Sequence, residues 1–271
     1  MFKSIVCLLA TFLCTRLYAG KVDTISIASA TMHKQIKCVV ITPLSYDSGT
    51  KTYPVIYLLH GHAGNYAQWI HTAPQLQDKV DELQVIIVCP DAGFNSWYFD
   101  SNKDTAVKYE TFVSRELVSF IDKNYRSNPG RENRAITGLS MGGHGGLYLG
   151  IKHADIFGAV GATSGGVDIT PFPNNWQIKN VLGDIETNRS NWEKNSVINL
   201  ADSLKDKTLS IIFDCGVDDF FLEVNRNLHK KLLQLKVSHD YTERPGGHNG
   251  AYWKNSIDYQ LIYFKKFFDK Q

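Results

Sequence analysis

Five short, almost uninterrupted apolar runs set the frame for this chain: residues 54–59, 85–89, 135–137, 157–162 and 209–213. A strand with one wet face alternates apolar and polar residues. Near-continuous runs of this length instead suit strands buried on both faces, as in a parallel sheet. Between the runs, apolar residues recur at helical spacing. Phe112, Leu117, Phe120 and Ile121 share one face of a segment from about 105 to 124. Leu228, Leu232, Leu233 and Leu235 mark a second helix, and Tyr259, Ile262, Tyr263 and Phe267 a last one. This alternation predicts an α/β fold, a mostly parallel, doubly wound central sheet with helices on both faces. Residues 22–30 and 34–42 alternate and are β-branched, which predicts an antiparallel hairpin at the sheet edge. At 271 residues, one such domain over 20–271 accounts for the pattern.

Residues 1–19 stand outside it. Lys3 supplies a small basic start, residues 5–13 an apolar core, and Leu17-Tyr18-Ala19 a small-residue cut site before Gly20. That is the form of a secretory signal peptide, which predicts a periplasmic or secreted protein. An uncleaved anchor is the competing reading, although the run is short for a membrane span. Cleavage would remove Lys3 and Arg16 and no acid, so 29 basic and 27 acidic residues become 27 of each. A neutral chain has no electrostatic basis for binding nucleic acid or an anionic membrane surface. Three cysteines would remain, Cys38, Cys89 and Cys215, each in an apolar run and expected as a buried thiol.

Residues 170–206 break the rhythm, with Pro171, Pro173, Trp176, Trp192, many asparagines and no evident strand. An interruption of this length is read as a cap-like insertion beside a cleft, or else as a solvated surface excursion.

The chemistry starts at Gly138-Leu139-Ser140-Met141-Gly142-Gly143, where an apolar run passes into a helix-like segment. A serine between glycines at such a switch is the sequence form of a nucleophile elbow. Glycine-rich turns of this kind also bind phosphate, so further parts are required. A serine hydroxyl needs a histidine base, and the histidine needs a carboxylate to orient it. Behind a nucleophile elbow these come in the order acid, then histidine. After the run 209–213 comes Cys215-Gly216-Val217-Asp218-Asp219-Phe220, and after 240–244 comes Pro245-Gly246-Gly247-His248-Asn249. Both candidates lie in loops at the carboxyl edge of the sheet, where open α/β sheets carry their sites. His248 is the candidate base. Asp218 and Asp219 are both candidate acids; neighbouring carboxylates repel, so only one faces the histidine.

An oxyanion would need two backbone N–H donors. Met141 comes directly after the serine at a helix start whose dipole assists. The other donor is expected in His60-Gly61-His62-Ala63-Gly64-Asn65, from His62. His60 and His62 also invite a metal reading. No acidic or thiolate partner lies at ligand spacing, so no metal or other cofactor is expected. His144 is read as packing.

These stretches, with Tyr53-Pro54-Val55-Ile56-Tyr57-Leu58-Leu59-His60-Gly61, Pro90-Asp91-Ala92-Gly93 and His144-Gly145-Gly146, resemble the Putative esterase family of α/β-hydrolases. That family includes esterase D and S-formylglutathione hydrolases, feruloyl and acetylxylan esterases of carbohydrate esterase family 1, and mycolyltransferases. The resemblance spans almost all of the mature chain. It implies nucleophile Ser140, base His248 and acid Asp219, the last residue of a Gly-x-x-Asp turn, with main-chain donors at His62 and Met141. It implies a serine carboxylic-ester hydrolase working through an acyl-enzyme on acylated plant glycans, as feruloyl or acetyl esters, or on small acyl esters. Export argues against the S-formylglutathione hydrolases. An acyltransferase of the mycolyltransferase type and a non-catalytic carbohydrate-binding protein are the competing readings. The loop aromatics Trp97, Tyr98, Trp176 and Trp253 are candidates to stack on sugar or phenolic rings, or else to pack the cap. Many members carry a large aromatic two residues after the histidine. Here Gly250 stands there, which implies a more open pocket edge. The oligomeric state is left open.

Overall fold

Eight strands form one sheet in the order β1-β2-β4-β3-β5-β6-β7-β8. The computed structural model describes residues 20–101, 103–204 and 209–270. The expected leader, 1–19, lies outside the described residues, as does the end of the 170–206 segment. The strands are β1 (Lys21–Ser29), β2 (Lys34–Thr42), β3 (Val55–Leu59), β4 (Ile86–Pro90), β5 (Arg134–Gly138), β6 (Ala159–Thr163), β7 (Ser210–Gly216) and β8 (Asp240–Arg244). β1 and β2 form the antiparallel edge hairpin, with Ile25 opposite Cys38. β2 also runs antiparallel to β4, and every later pairing is parallel.

The apolar runs serve two cores at once. In β3, Val55, Tyr57 and Leu59 point into one core, and Ile56 and Leu58 into the other. That is the period of two expected of a strand with both faces covered. One face is covered by α1 (Gln68–Thr72), α2 (Leu76–Leu83) and the long C-terminal helix α10 (Gly250–Phe268), through Trp69, Leu76, Val80, Ile257, Leu261 and Phe264. The other face carries α3 (Tyr109–Thr111), α4 (Val118–Asn124), α5 (Met141–Lys152) and α9 (Leu222–Gln234). Cys38, Cys89 and Cys215 are free, buried thiols.

The helix expected from about 105 starts later, at Tyr109. A turn closed by Val107 N–H on Asp104 O (3.1 Å) and Ser101 N–H on Val107 O (2.8 Å) precedes it. Its middle, Phe112–Leu117, is π-helical. The insertion is not a solvated excursion. It folds into α6 (Ile178–Leu182), α7 (Ile185–Asn195) and α8 (Val197–Leu200), and Ile178, Trp192 and Val197 are fully buried. Asp184 caps α7 by accepting from Glu186 N–H, and Trp192 Nε1–H donates to Gly183 O at 2.8 Å. The cap is tied to α5, since His144 Nε2 bonds Asn195 O at 2.9 Å and Tyr148 OH bonds Asn195 Oδ1 at 2.9 Å. Burial lowers the His144 pKa to about 4, so the ring is neutral at neutral pH and Nε2–H donates.

Candidate active site

Ser140 sits between β5 and α5 with φ 56° and ψ −116°. This backbone is sparsely populated by non-glycine residues and has to be imposed. Two close approaches impose it. A Cβ on Gly138 would lie 2.5 Å from Leu59 O, and one on Gly142 would lie 2.3 Å from the same oxygen. Only hydrogen side chains let the turn press against the end of β3. Ser140 N–H bonds Thr163 O at 3.0 Å and Gly142 N–H bonds Leu139 O at 2.7 Å, which fixes the turn further.

The loops after β7 and β8 meet each other before they meet the serine. Val217 N–H donates to Arg244 O and Asp218 N–H to Gly246 O, both at 2.9 Å. A Cβ on Gly216 would lie 2.2 Å from Gly246 O, so the first loop needs glycine at the contact, and Gly246 has a φ of 125° that favours glycine in the second. Out of this joint, His248 Nε2 comes within 2.9 Å of Ser140 Oγ. His248 Nδ1 lies 2.9 Å from Asp219 Oδ2 and 3.1 Å from Oδ1. A carboxylate only accepts, so Nδ1 carries the proton and Nε2 is free to accept from the serine hydroxyl. Asp219 also accepts from Phe221 N–H at 2.8 Å, and its side chain is fully buried. Asp218 is exposed and its side chain takes no part.

Backbone donors beside the serine are identified by elimination. In the loop after β3, Gly61 N–H bonds Gln68 Oε1 (2.8 Å), Ala63 N–H bonds Phe94 O (2.8 Å) and Gly64 N–H bonds Gly61 O (3.0 Å). The N–H of His62 has no acceptor among the described residues. In the elbow, the N–H groups of Leu139, Ser140 and Gly142 are all bonded, whereas that of Met141, at the start of α5, has no such acceptor. Gln68 of α1, which nothing in the sequence singled out, holds this loop in place. The two histidines do not form a metal pair. His60 Nδ1–H donates to Gly61 O at 2.7 Å and its Nε2 accepts from Ala92 N–H at 2.8 Å, so neither nitrogen is free to ligate. Burial lowers the pKa of both His60 and His62.

A cavity of about 280 Å³ opens over the serine, lined by Ser140, His248, His62, Gln68, Trp176, Phe220 and Trp253. A depression of about 870 Å³ along β8 is larger, so size does not single out the site; the Ser140–His248–Asp219 hydrogen-bond chain does. Trp176 and Trp253 both line the cavity over the serine. Trp97 and Tyr98 do not. Both take a positive φ, 52° and 63°, and they are 1% and 0% exposed. Trp97 packs behind Trp176 at 6.0 Å, and Tyr98 OH bonds His60 O at 2.9 Å. They support the site from behind and cannot stack on a ligand ring. Gly250, two residues after His248, is exposed. A Cβ there would face Thr72, and Trp253, one turn on, supplies an aromatic wall to the cavity.

Comparison with known proteins identifies the family and the fold. The sequence model of the family described as Putative esterase matches residues 29–264. An acetyl esterase of Caldicellulosiruptor saccharolyticus is 29% identical over 223 residues, covering 78% of this chain and 83% of that one. Esterase MT1326 of Mycobacterium tuberculosis is 27% identical over 238 residues, and there the match spans 77% of this chain but only about half, 51%, of the relative. A solved ferulic acid esterase superposes with a TM-score of 0.80 at 31% identity, covering 93% of this chain and 99% of that one.

Proposed function

The chain belongs to the Putative esterase family of carboxylic-ester hydrolases, and from that premise we propose that it works through a Ser140–His248–Asp219 triad and an acyl-enzyme. The hydrogen-bonded chain from Asp219 through His248 to Ser140 carries this reading. In acylation, Ser140 Oγ bonds the acyl carbon as its proton passes to His248 Nε2. Asp219, accepting from Nδ1–H, keeps the tautomer and favours the imidazolium. The carbonyl oxygen becomes an oxyanion facing the N–H groups of His62 and Met141. Each such donor contributes on the order of 3 kcal/mol to the transition state. Collapse breaks the bond to the alcohol, which takes the proton from Nε2. Water then repeats the sequence on the acyl-enzyme, with His248 again the base, and releases the acid.

The substrates we infer are feruloyl or acetyl esters of plant glycans, or small acyl esters. Two observations support this: the relatives named acetyl esterase and ferulic acid esterase, and the aromatic walls of the 280 Å³ cavity. Export through a signal peptide at 1–19 is part of the proposal. Among the described residues no helix is long and apolar enough to cross a membrane. The test is Ser140→Ala, expected to abolish turnover of p-nitrophenyl acetate and covalent labelling by a fluorophosphonate. Labelling that persists in the variant would overturn the assignment of the nucleophile. A panel of methyl ferulate, acetylated xylan and p-nitrophenyl acyl esters separates the substrate classes.

A further inference from the structure

Neither half-reaction calls on the aromatic ring that overlies the base. Phe220 is the residue after Asp219, and its ring centroid lies 4.3 Å from that of His248. It stacks on Trp176 of the cap at 5.6 Å with 22° between planes. Yet 53% of it is exposed, while the next residue, Phe221, is 1% exposed. Of two adjacent phenylalanines, the fold buries one under the cap and leaves the other at the cavity mouth, where a water-facing apolar ring gains little from burial. Its stacking partner is held there at a conformational cost. Trp176 and Gln177 have φ of 48° and 58°, a backbone uncommon for non-glycine residues and costly to maintain. Asn95 Nδ2–H donates to Gln177 Oε1 at 3.0 Å and fixes that turn to the loop beside His62.

The proton path decides which half of an ester meets this ring, given the triad reading on which the inference rests. The alcohol oxygen must take its proton from His248 Nε2, so it comes within hydrogen-bond reach of that atom. The carbonyl oxygen meanwhile faces His62 and Met141. The alcohol half therefore leaves across the surface bordering His248, where two rings meet the imidazole: Trp253 at 5.1 Å, half-buried against the core, and Phe220 at 4.3 Å, exposed and backed by Trp176. Of these rings Phe220 is the one that faces water. It suits a group with an apolar face to lay on the ring and hydroxyls to turn outward; an alkyl chain would need an enclosed groove.

We propose that the exposed face of Phe220, backed by Trp176, is a subsite for the alcohol half of the ester, and that the alcohol it accepts is a carbohydrate ring. Because the alcohol departs as the acyl-enzyme forms, this contact acts on acylation and on specificity between alcohols. It has no part in discharging the acyl group to water.

The test presents one acyl group on two alcohols: acetyl or feruloyl, whichever the enzyme accepts, as its methyl ester and as its ester on a xylo-oligosaccharide. The readout is the ratio of kcat/KM for the sugar ester to that for the methyl ester, measured on one preparation so that any loss of folded protein cancels. In Phe220→Ala this ratio is expected to fall about tenfold, and in Phe220→Tyr, which keeps the ring, to stay near that of the unaltered enzyme. An unchanged ratio in Phe220→Ala means that the ring serves only to pack His248, and overturns the subsite. If the unaltered enzyme turns over neither ester and Ser140 takes no fluorophosphonate, the triad reading itself has failed and the subsite with it.

Discussion

Replacing Asp219 with asparagine keeps the shape of the side chain, removes its charge and disturbs two hydrogen bonds. Oδ1 accepts from Phe221 N–H at 2.8 Å, while Oδ2 lies 2.9 Å from His248 Nδ1. The Phe221 donor would hold the amide oxygen and turn the NH2 group toward Nδ1. Two donors cannot face each other there, so the imidazole would move its proton to Nε2, the atom that must accept from Ser140. The lost attraction can be sized from the same distance. A carboxylate and an imidazolium 2.9 Å apart, at an effective dielectric near 20, attract by about 6 kcal/mol. A neutral amide returns about 1 kcal/mol as a hydrogen bond. A deficit of about 5 kcal/mol corresponds to a loss between roughly 10³ and 10⁴ in kcat, and the tautomer change adds to it. The assay is kcat for p-nitrophenyl acetate at neutral pH, with the thermal midpoint as a control for folding. Asp218→Asn, at an exposed neighbour, is expected to stay within about twofold. If Asp219→Asn keeps a tenth of the activity, or if Asp218→Asn loses as much, the acid has been misassigned.

Two further predictions concern what holds the site together. Burial alone would raise the Glu110 carboxyl, but hydrogen bonds from His153, Lys152 and Tyr148 outweigh it and bring its pKa down to about 2. Because the folded value is the depressed one, this stabilisation is complete above the unfolded carboxylate range and is lost as pH falls toward about 2. Glu110→Gln should therefore cost about 2 kcal/mol at pH 7, with the gap in urea midpoints narrowing steadily below about pH 4.5; a gap independent of pH would contradict it. Asp214 is 1% exposed and accepts from Thr163, Tyr252, Ser256 and Gln260 at 2.9, 2.9, 2.7 and 2.8 Å, joining β6 and β7 to the helix just beyond His248. Asp214→Ala leaves those donors buried without their acceptor and should lower unfolding stability by at least about 3 kcal/mol; a loss under about 1 kcal/mol by denaturant titration would refute that account.

The sheet was legible because its signal is local. In β3 five consecutive residues are buried, and the run of apolar side chains records that directly. The order of serine, acid and histidine was legible because each comes after a recognisable strand. Spacing could not separate Asp218 from Asp219, since which one turns inward depends on the Gly216–Asp219 turn and on Gly246 across from it. The cap helices were hidden for another reason. α7 is mostly polar and is kinked at Asn188, and its two buried apolar residues, Ile185 and Trp192, stand seven apart with only polar residues between them, too sparse a stripe to stand out. α2 is only eight residues long, and Leu76, Val80 and Leu83 are too few to stand out. Aromatic residues misled most. Trp97 and Trp176 look alike in sequence and both take a positive φ, 52° and 48°, yet one is in the core and the other lines the cavity; which goes where depends on tertiary packing that the sequence does not display.

The backbone of Ser140 has a bearing on any attempt to improve this protein. Its φ of 56° and ψ of −116° hold a standing destabilisation of about 1–3 kcal/mol, which a glycine at that position would relieve. Selection for heat resistance or for yield of folded protein, applied without a demand for turnover, would therefore favour losing the proposed nucleophile. The most stable descendants of this chain under such a regime would be inert, and directed evolution of it has to screen for ester cleavage at every round.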